Sequence, residues 1–243
     1  YEIAAPHNIP AYIYDCLCVD EMEPIAKISG LKEVERKSFV HILNMRAMAI
    51  KTASKTGKPY TDLNLIMLHL GGGVSLAIFK KGKVVDMITD DEGPFTPERC
   101  GALPGKEFVR LCYEKGIPTV EKMLRGRGGF VSYFGTSNTL EVEERIRKGD
   151  QYAELIFKAM AYQIAKSIGE LATVVNGEVD RIILTGGVAH SEMLMEWVKK
   201  RVEFIAPVVI APGENEMEAL AFGALRVIRD EEDAHVFNEK ELL

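Results

Sequence analysis

The stretch from Leu65 to Thr89, LIMLHLGGGVSLAIFKKGKVVDMIT, constrains this chain most. An apolar run from Leu65 to Leu70 meets three glycines, Gly71 to Gly73, and a second run, Val74 to Phe79, follows at once. A short Lys-Lys-Gly-Lys turn then leads to a third run, Val84 to Ile88. Each run is rich in strand-forming residues and too short for a helix before the next turn. The pattern predicts strand, glycine turn, strand, turn, strand. Glycines at the first turn would let the backbone take positive φ and let a ligand approach closely. Exposed N–H groups at such a turn form an anion-binding concavity. In Walker A and Rossmann sites the glycine loop opens a helix. Here it opens a strand, and no Gly-Lys-Ser/Thr follows. The turn is therefore either a hairpin phosphate loop or a plain hairpin tip.

The flanking chain supplies the rest of the fold. Residues 11–19 (AYIYDCLCV) read as a buried strand ending near Asp15. A helix is predicted over 33–56 from the spacing of Val34, Phe39, Leu43, Ala47 and Ile50, with Gly57-Lys58-Pro59 as its stop. Asp90 to Gly105 is a loop long enough to suggest function. Short helices over 107–115 and 120–124 precede a glycine cluster at Gly126, Gly128 and Gly129. The longest helix spans 150–175. A strand over 181–184, a helix over 191–202, a strand over 208–211 and a helix over 215–229 follow. An acidic, solvated tail begins at Asp230. Three antiparallel strands, a long helix and two strand–helix units predict an α/β, RNase H-like (actin-like ATPase) domain. Its mixed five-stranded sheet would be flanked by helices. Residues 16–214 are read as this nucleotide-binding domain. Residues 1–15 are read as a remnant of a first, similar domain, to which the C-terminal helix and tail, 215–243, return.

Composition narrows the function. The 243 residues carry a net charge of −6 and show no basic face, which argues against nucleic-acid binding. No apolar run reaches the roughly 18 residues that suggest a membrane span. The N-terminus lacks the basic start and apolar core of a signal peptide. Cys16, Cys18, Cys100 and Cys112 have no zinc spacing and read as free thiols of a reducing cytoplasm.

A second glycine site lies in Ile182-Ile183-Leu184-Thr185-Gly186-Gly187, running from a strand toward a helix whose N-terminus can face an anion or a ribose. Two glycine turns at strand ends of one sheet suit a nucleotide, one for phosphates and one for the nucleoside. His69-Leu70-Gly71-Gly72-Gly73 resembles the second phosphate motif of the acetate and butyrate kinase family, and Thr185-Gly186-Gly187 its adenosine motif. Asp91-Glu92-Gly93-Pro94-Phe95-Thr96-Pro97-Glu98-Arg99-Cys100-Gly101 resembles the butyrate kinase form of the loop carrying the active-site arginine. Arg36-Lys37-Ser38-Phe39-Val40-His41 resembles the segment with the active-site histidine. Pro212-Gly213-Glu214-Asn215-Glu216-Met217-Glu218-Ala219 also follows butyrate kinases.

The resemblance implies reversible phosphoryl transfer from ATP to a short-chain fatty acid such as butyrate, in a homodimer or larger assembly. Arg99, His41 and Asp15 are the implied catalytic residues. His69, Gly71, Gly72, Gly73, Thr185, Gly186, Gly187 and Asn138 would bind the nucleotide, and Asp15 and Glu216 would bind Mg²⁺. His41 is expected on a helix face with Met45 and Met48. Arg99, on a loop rich in glycine and proline, is expected to move during closure. Two departures stand out. The family's N-terminal Asn-Pro-Gly-Ser-Thr-Ser phosphate motif does not occur here, so the chain alone is expected not to turn over ATP. Asn138 and Leu140 stand where family members carry Asp and Arg near the adenosine. The alternative is a non-catalytic ATP-binding or structural domain of the same superfamily.

Overall fold

A computed structural model describes residues 2–213 and 216–234. At its centre, β1 (Asn64–Leu70), β2 (Val74–Lys80) and β3 (Lys83–Ile88) form an antiparallel meander. The β2–β3 connection is the two residues Lys81 and Gly82, both with positive φ, which suits the right-handed twist of the flanking strands. β4 (Arg181–Gly186) runs parallel to β1, and β5 (Val208–Pro212) parallel to β4. The sheet order is β3-β2-β1-β4-β5, the mixed five-stranded sheet expected from the sequence.

Period-two alternation divides the core between the faces of this sheet. Ile66, Leu68, Leu70, Leu76, Ile78, Ile182 and Leu184 point to one side, where α6 (Gln151–Val174) lies backed by α7 (Glu192–Val202). Leu65, Met67, Ala77, Phe79 and Ile183 point to the other, against α1 (Ile42–Ser54). β1 is buried on both sides, which is why it reads as an unbroken apolar run. The longest helix is well bounded: Asp150 caps α6 by accepting from the Ala153 amide at 3.0 Å. Asn176 and Gly177, both with positive φ, follow its end. The last helix, α8 (Glu216–Ile228), packs over α1.

Two expectations fail. Residues 11–19 form no strand, and Tyr12, Ile13 and Leu17 are exposed. Among the described residues no strand lies beside them to complete a ladder. Residues 33–41 form no helix: beyond a turn in which the Val34 amide donates to the Leu31 carbonyl at 3.0 Å, their polar groups bond across to other segments. The Arg36 amide donates to the Lys27 carbonyl at 3.0 Å, and the Val40 amide to the Leu17 carbonyl at 3.4 Å. The Arg36 guanidinium donates to the carbonyls of Ala26 and Met87 and to Asp86 and Glu92. Val34 and Phe39, the start of the expected stripe, are about half exposed. The sequence also hid two helices after the glycine cluster, α4 (Gly129–Phe134) and α5 (Thr139–Arg147). Between β3 and α4 lie α2 (Gly105–Lys115) and α3 (Ile117–Leu124), close to their expected places. Much of the tail expected to be solvated, from residue 235 on, lies outside the described residues.

Candidate active site

β1, β4 and β5 are parallel, and their C-terminal ends meet at one edge of the sheet. In open α/β sheets that edge is where ligands bind. Gly186 ends β4 there with φ +92, and a Cβ on it would sit 2.4 Å from the Leu70 carbonyl oxygen. Only glycine lets the two strand ends approach so closely. Gly186 and Gly213 exchange amide-to-carbonyl hydrogen bonds of 3.2 and 3.1 Å, tying the end of β5 to the same point.

The Gly71–Gly73 turn stands at this edge. It does not use left-handed backbone: none of the three glycines has positive φ. An added Cβ would be crowded most at Gly73, and there by the end of a flexible side chain. The Gly71 amide donates to the Gly73 carbonyl at 2.8 Å. A Cβ on Gly71 would lie 3.6 Å from His69 Nε2, and one on Gly73 only 2.8 Å from Arg99 Cζ. His69 and Arg99 thus bracket the turn.

His41 completes the cluster. It occupies the position just before α1, not a helix face, and its backbone (φ −75, ψ 61) is non-helical. Its ring stacks on that of His69 with centroids 4.3 Å apart and planes 18° from parallel. His41 Nδ1 lies 3.0 Å from Ser75 Oγ on β2, and His69 Nδ1 lies 3.4 Å from Asn44 Oδ1 on α1. Burial first, and the neighbouring His41 second, push His69 down to about 4. It is neutral near pH 7. Two stacked imidazoles cannot both be charged cheaply.

The loop carrying Arg99 is tied down by several hydrogen bonds. Thr96 is fully buried, and its hydroxyl donates to the Gly72 carbonyl at 2.5 Å. The Thr96 amide donates to the Arg99 carbonyl at 3.0 Å, and the Glu98 carbonyl accepts from the Gly126 amide at 2.9 Å. The Arg99 guanidinium pairs with the buried carboxylate of Asp90. Arg125 approaches the same Asp90 oxygen at 3.4 Å and Asp91 at 3.1 Å. Two guanidinium groups therefore converge on one acid beside the turn. Asp90, Ser75, Asn44, Thr96 and Arg125 were not singled out by the sequence. Only the acidic pair Asp90-Asp91 opening a glycine- and proline-rich loop hinted at them.

The other expected residues fall in three places. Thr185 is fully buried and donates to the Gly213 carbonyl at 3.2 Å, so it shapes the β4 turn from within. Gly187 opens a single 3-10 turn, Gly187–His190, before Ser191 caps α7. Asn138 caps α5, accepting from the Leu140 amide at 3.0 Å. Ser191 donates to the buried Glu143 of α5 at 2.5 Å, holding that helix beside the β4 turn.

The two expected metal ligands lie on different elements. Asp15 pairs with Arg46 at 2.9 Å, and Arg46 also donates to the Gly82 carbonyl, at the opposite end of β2 from the glycine turn. Burial raises the Asp15 carboxyl above the usual carboxylate range, with Arg46 opposing. Tyr14, beside it, packs on Gly223 and contacts Arg226 of α8. Glu216 is exposed on the first turn of that helix, ten residues from Arg226, about 15 Å along the axis. Asn215 and Glu214 lie outside the described residues. Among the described residues no group of three or more His, Cys, Asp or Glu is placed to hold a metal ion. Asp15 keeps one carboxylate oxygen, Oδ2, buried without a hydrogen-bond partner among the described residues, and Glu216 stands on a different element, the first turn of α8.

The pattern that defines the acetokinase family matches residues 33–236. The chain belongs to the acetokinase family. Solved structures agree on the fold. Porphyromonas gingivalis acetate kinase superposes with a TM-score of 0.77 at 22% identity, over 85% of this chain and 61% of that one. Entamoeba histolytica acetate kinase gives 0.74 at 18% identity, over 84% and 63%. A propionate kinase from Francisella tularensis subsp. tularensis SCHU S4 gives 0.71 at 16%, over 82% and 59%. The chain spans about three-fifths of the length of each. Among its described residues, no helix is long and apolar enough to cross a membrane.

Proposed function

We propose that this acetokinase transfers the γ-phosphoryl group of ATP to the carboxylate of a short-chain fatty acid of the butyrate type, reversibly, giving an acyl phosphate. One observation carries the reading: Arg99 and the His41–His69 stack bracket a glycine turn at the carboxyl edge of the sheet. Phosphoryl transfer is mostly positioning and charge stabilisation. The acid needs no general base, because carboxylic acids titrate near pH 4 and are ionised at neutral pH. The difficulty is that both reactants are anions. Arg99 answers it with a planar fork that can hold a carboxylate and a phosphoryl oxygen together. In the unliganded chain that fork holds Asp90, and an arriving anion would take its place. His41 is assigned to donate to the phosphoryl oxygens as charge develops. The amides of Gly72 and Gly73 face the phosphates, and the Gly186–Gly187 turn with the capped start of α5 faces the nucleoside.

The test traps acyl phosphate with hydroxylamine, using the protein as its gene encodes it, Mg-ATP, and butyrate, propionate, acetate and branched acids in turn. Hydroxamate is expected, most with the butyrate-sized acids. None with any acid, while ATP still binds by calorimetry, would favour a non-catalytic nucleotide-binding domain instead. Arg99→Ala should lower kcat by about 10²–10³ with little change in ATP affinity.

A further inference from the structure

Cys16 and Cys18 have no part in the chemistry above. Both are exposed, and their Sγ atoms lie 3.3 Å apart. The Val19 amide donates to the Cys16 carbonyl at 3.1 Å, closing a turn that folds the two side chains together. Among the described residues no third metal-ligating group joins them. The turn is also wired to the site. The Ser38 hydroxyl donates to the Val19 carbonyl, and the Val40 amide to the Leu17 carbonyl at 3.4 Å. Val40 is buried and immediately precedes His41.

We propose that Cys16 and Cys18 form a reversible dithiol–disulfide site that reacts with small disulfides of the oxidised-glutathione class, and that its closure shifts the 38–41 segment carrying His41. The chemistry balances by two exchanges. One cysteine thiolate attacks a sulfur of the small disulfide and expels one small thiolate, leaving a mixed disulfide. The second cysteine, already in contact, loses its proton, attacks the protein-bound sulfur and expels the second small thiolate. The two protein thiols give up two electrons and two protons, and the small disulfide takes them up as two thiols. Exchange of this kind runs through a thiolate attacking a disulfide sulfur. Hydrogen bonding to Cys16 pushes the Cys18 thiol up, so exchange quickens as pH rises. The ring closed is the smallest that still contains an intervening residue. It gains little from loop closure, and the product is correspondingly easy to reduce. Such labile disulfides are the regulatory kind.

The thiol chemistry stands apart from the proposed kinase reaction, and its readouts need no turnover. The reduced full chain is incubated with excess oxidised glutathione under native conditions, then mapped by intact mass and peptide digestion. The expected result is loss of two hydrogens, loss of two reagent-accessible thiols, and a Cys16–Cys18 cross-link that dithiothreitol removes. Cys16→Ser should stop at one retained glutathione on Cys18. A wild-type chain that retains glutathione on either cysteine, or that does not react, overturns the site. Amide exchange at Val40 and the NMR titration of His41 supply the second arm. Both should change on oxidation of the wild type and not in the Cys16→Ser/Cys18→Ser chain treated identically. A cross-link that leaves both unchanged overturns the coupling to His41.

Discussion

Gly73 and Gly186 both stand at strand ends, and each is glycine for a different reason. Gly186 has φ +92 and abuts the Leu70 backbone, which cannot yield. Gly73 has ordinary backbone and abuts the far end of the Arg99 side chain, which can swing away. Gly186→Ala should therefore cost several kcal/mol, about 3 or more, or fail to fold. Gly73→Ala should keep its urea midpoint close to wild type while displacing Arg99 and lowering turnover. Equal stability losses in the two variants would contradict this division. His69 carries a pH prediction. Its folded value of about 4 lies below the ordinary 6.5, so between those values the unfolded chain binds a proton that the folded chain refuses. Stability from this residue is complete above about pH 6.5, falls as pH drops toward 4, and amounts to about 3 kcal/mol. Urea titrations at pH 7, 6 and 5 should show the fall in wild type and a flatter profile in His69→Asn. Parallel profiles would mean that His69 is not held neutral by its burial against His41.

The elements show what the sequence could and could not declare. β1 to β5, α6 and α7 were legible because burial on one or both faces writes a period into the side chains. Asp150 and Asn176-Gly177 marked the ends of α6 in the same way. The 33–41 segment was misread because its order comes from single polar contacts, chiefly those of Arg36, which leave no period. Helix α4 was missed because it has six residues and opens on a glycine, and α5 because its sequence is mostly charged, with only Leu140, Val142 and Ile146 apolar. In the site, Gly71–Gly73, Arg99 and His41 could be picked out, but Asp90 and Ser75 could not, since their roles depend on which strand ends the fold brings together. Arg46 on α1 is a further contact of this unwritten kind. It joins Asp15, Glu21 and the Gly82 carbonyl, and is 8% exposed. Arg46→Met should cost about 3–5 kcal/mol at pH 7, because two acids lose their partner. Asp15 is already raised by burial and would rise further without Arg46. A carboxyl raised in the folded state favours folding when protonated, so the deficit against wild type should shrink from pH 7 to pH 5. A deficit that grows on acidification would show that Asp15 is not the acid left stranded.

At the scale of the whole molecule, one sheet carries two cores that do not touch each other directly. The α6–α7 side holds Phe157, Met160 and Ile164, and the α1 side holds Met45, Phe79 and Met87. Their common boundary is the backbone of the sheet, β3 included, whose successive residues face opposite ways. The site depends on both sides: His41, Asn44 and His69 are set by the α1 side, and the β4 turn is held through Ser191 and Glu143 by the other. If the strands transmit packing, neither side can loosen alone. The chain has one tryptophan, Trp197 on α7, which packs edge-on against Phe157 at 5.7 Å and so reports the α6–α7 side only. Met45 is fully buried on the other side. Met45→Ala should cost about 2–5 kcal/mol and should lower the Trp197 fluorescence midpoint in urea by the same amount as the far-UV circular dichroism midpoint. Separation of the two midpoints, with Trp197 unmoved, would mean that the two layers melt as independent units. The histidine stack could then loosen under conditions that leave the β4 turn intact, and the two halves of the site would answer to different stabilities.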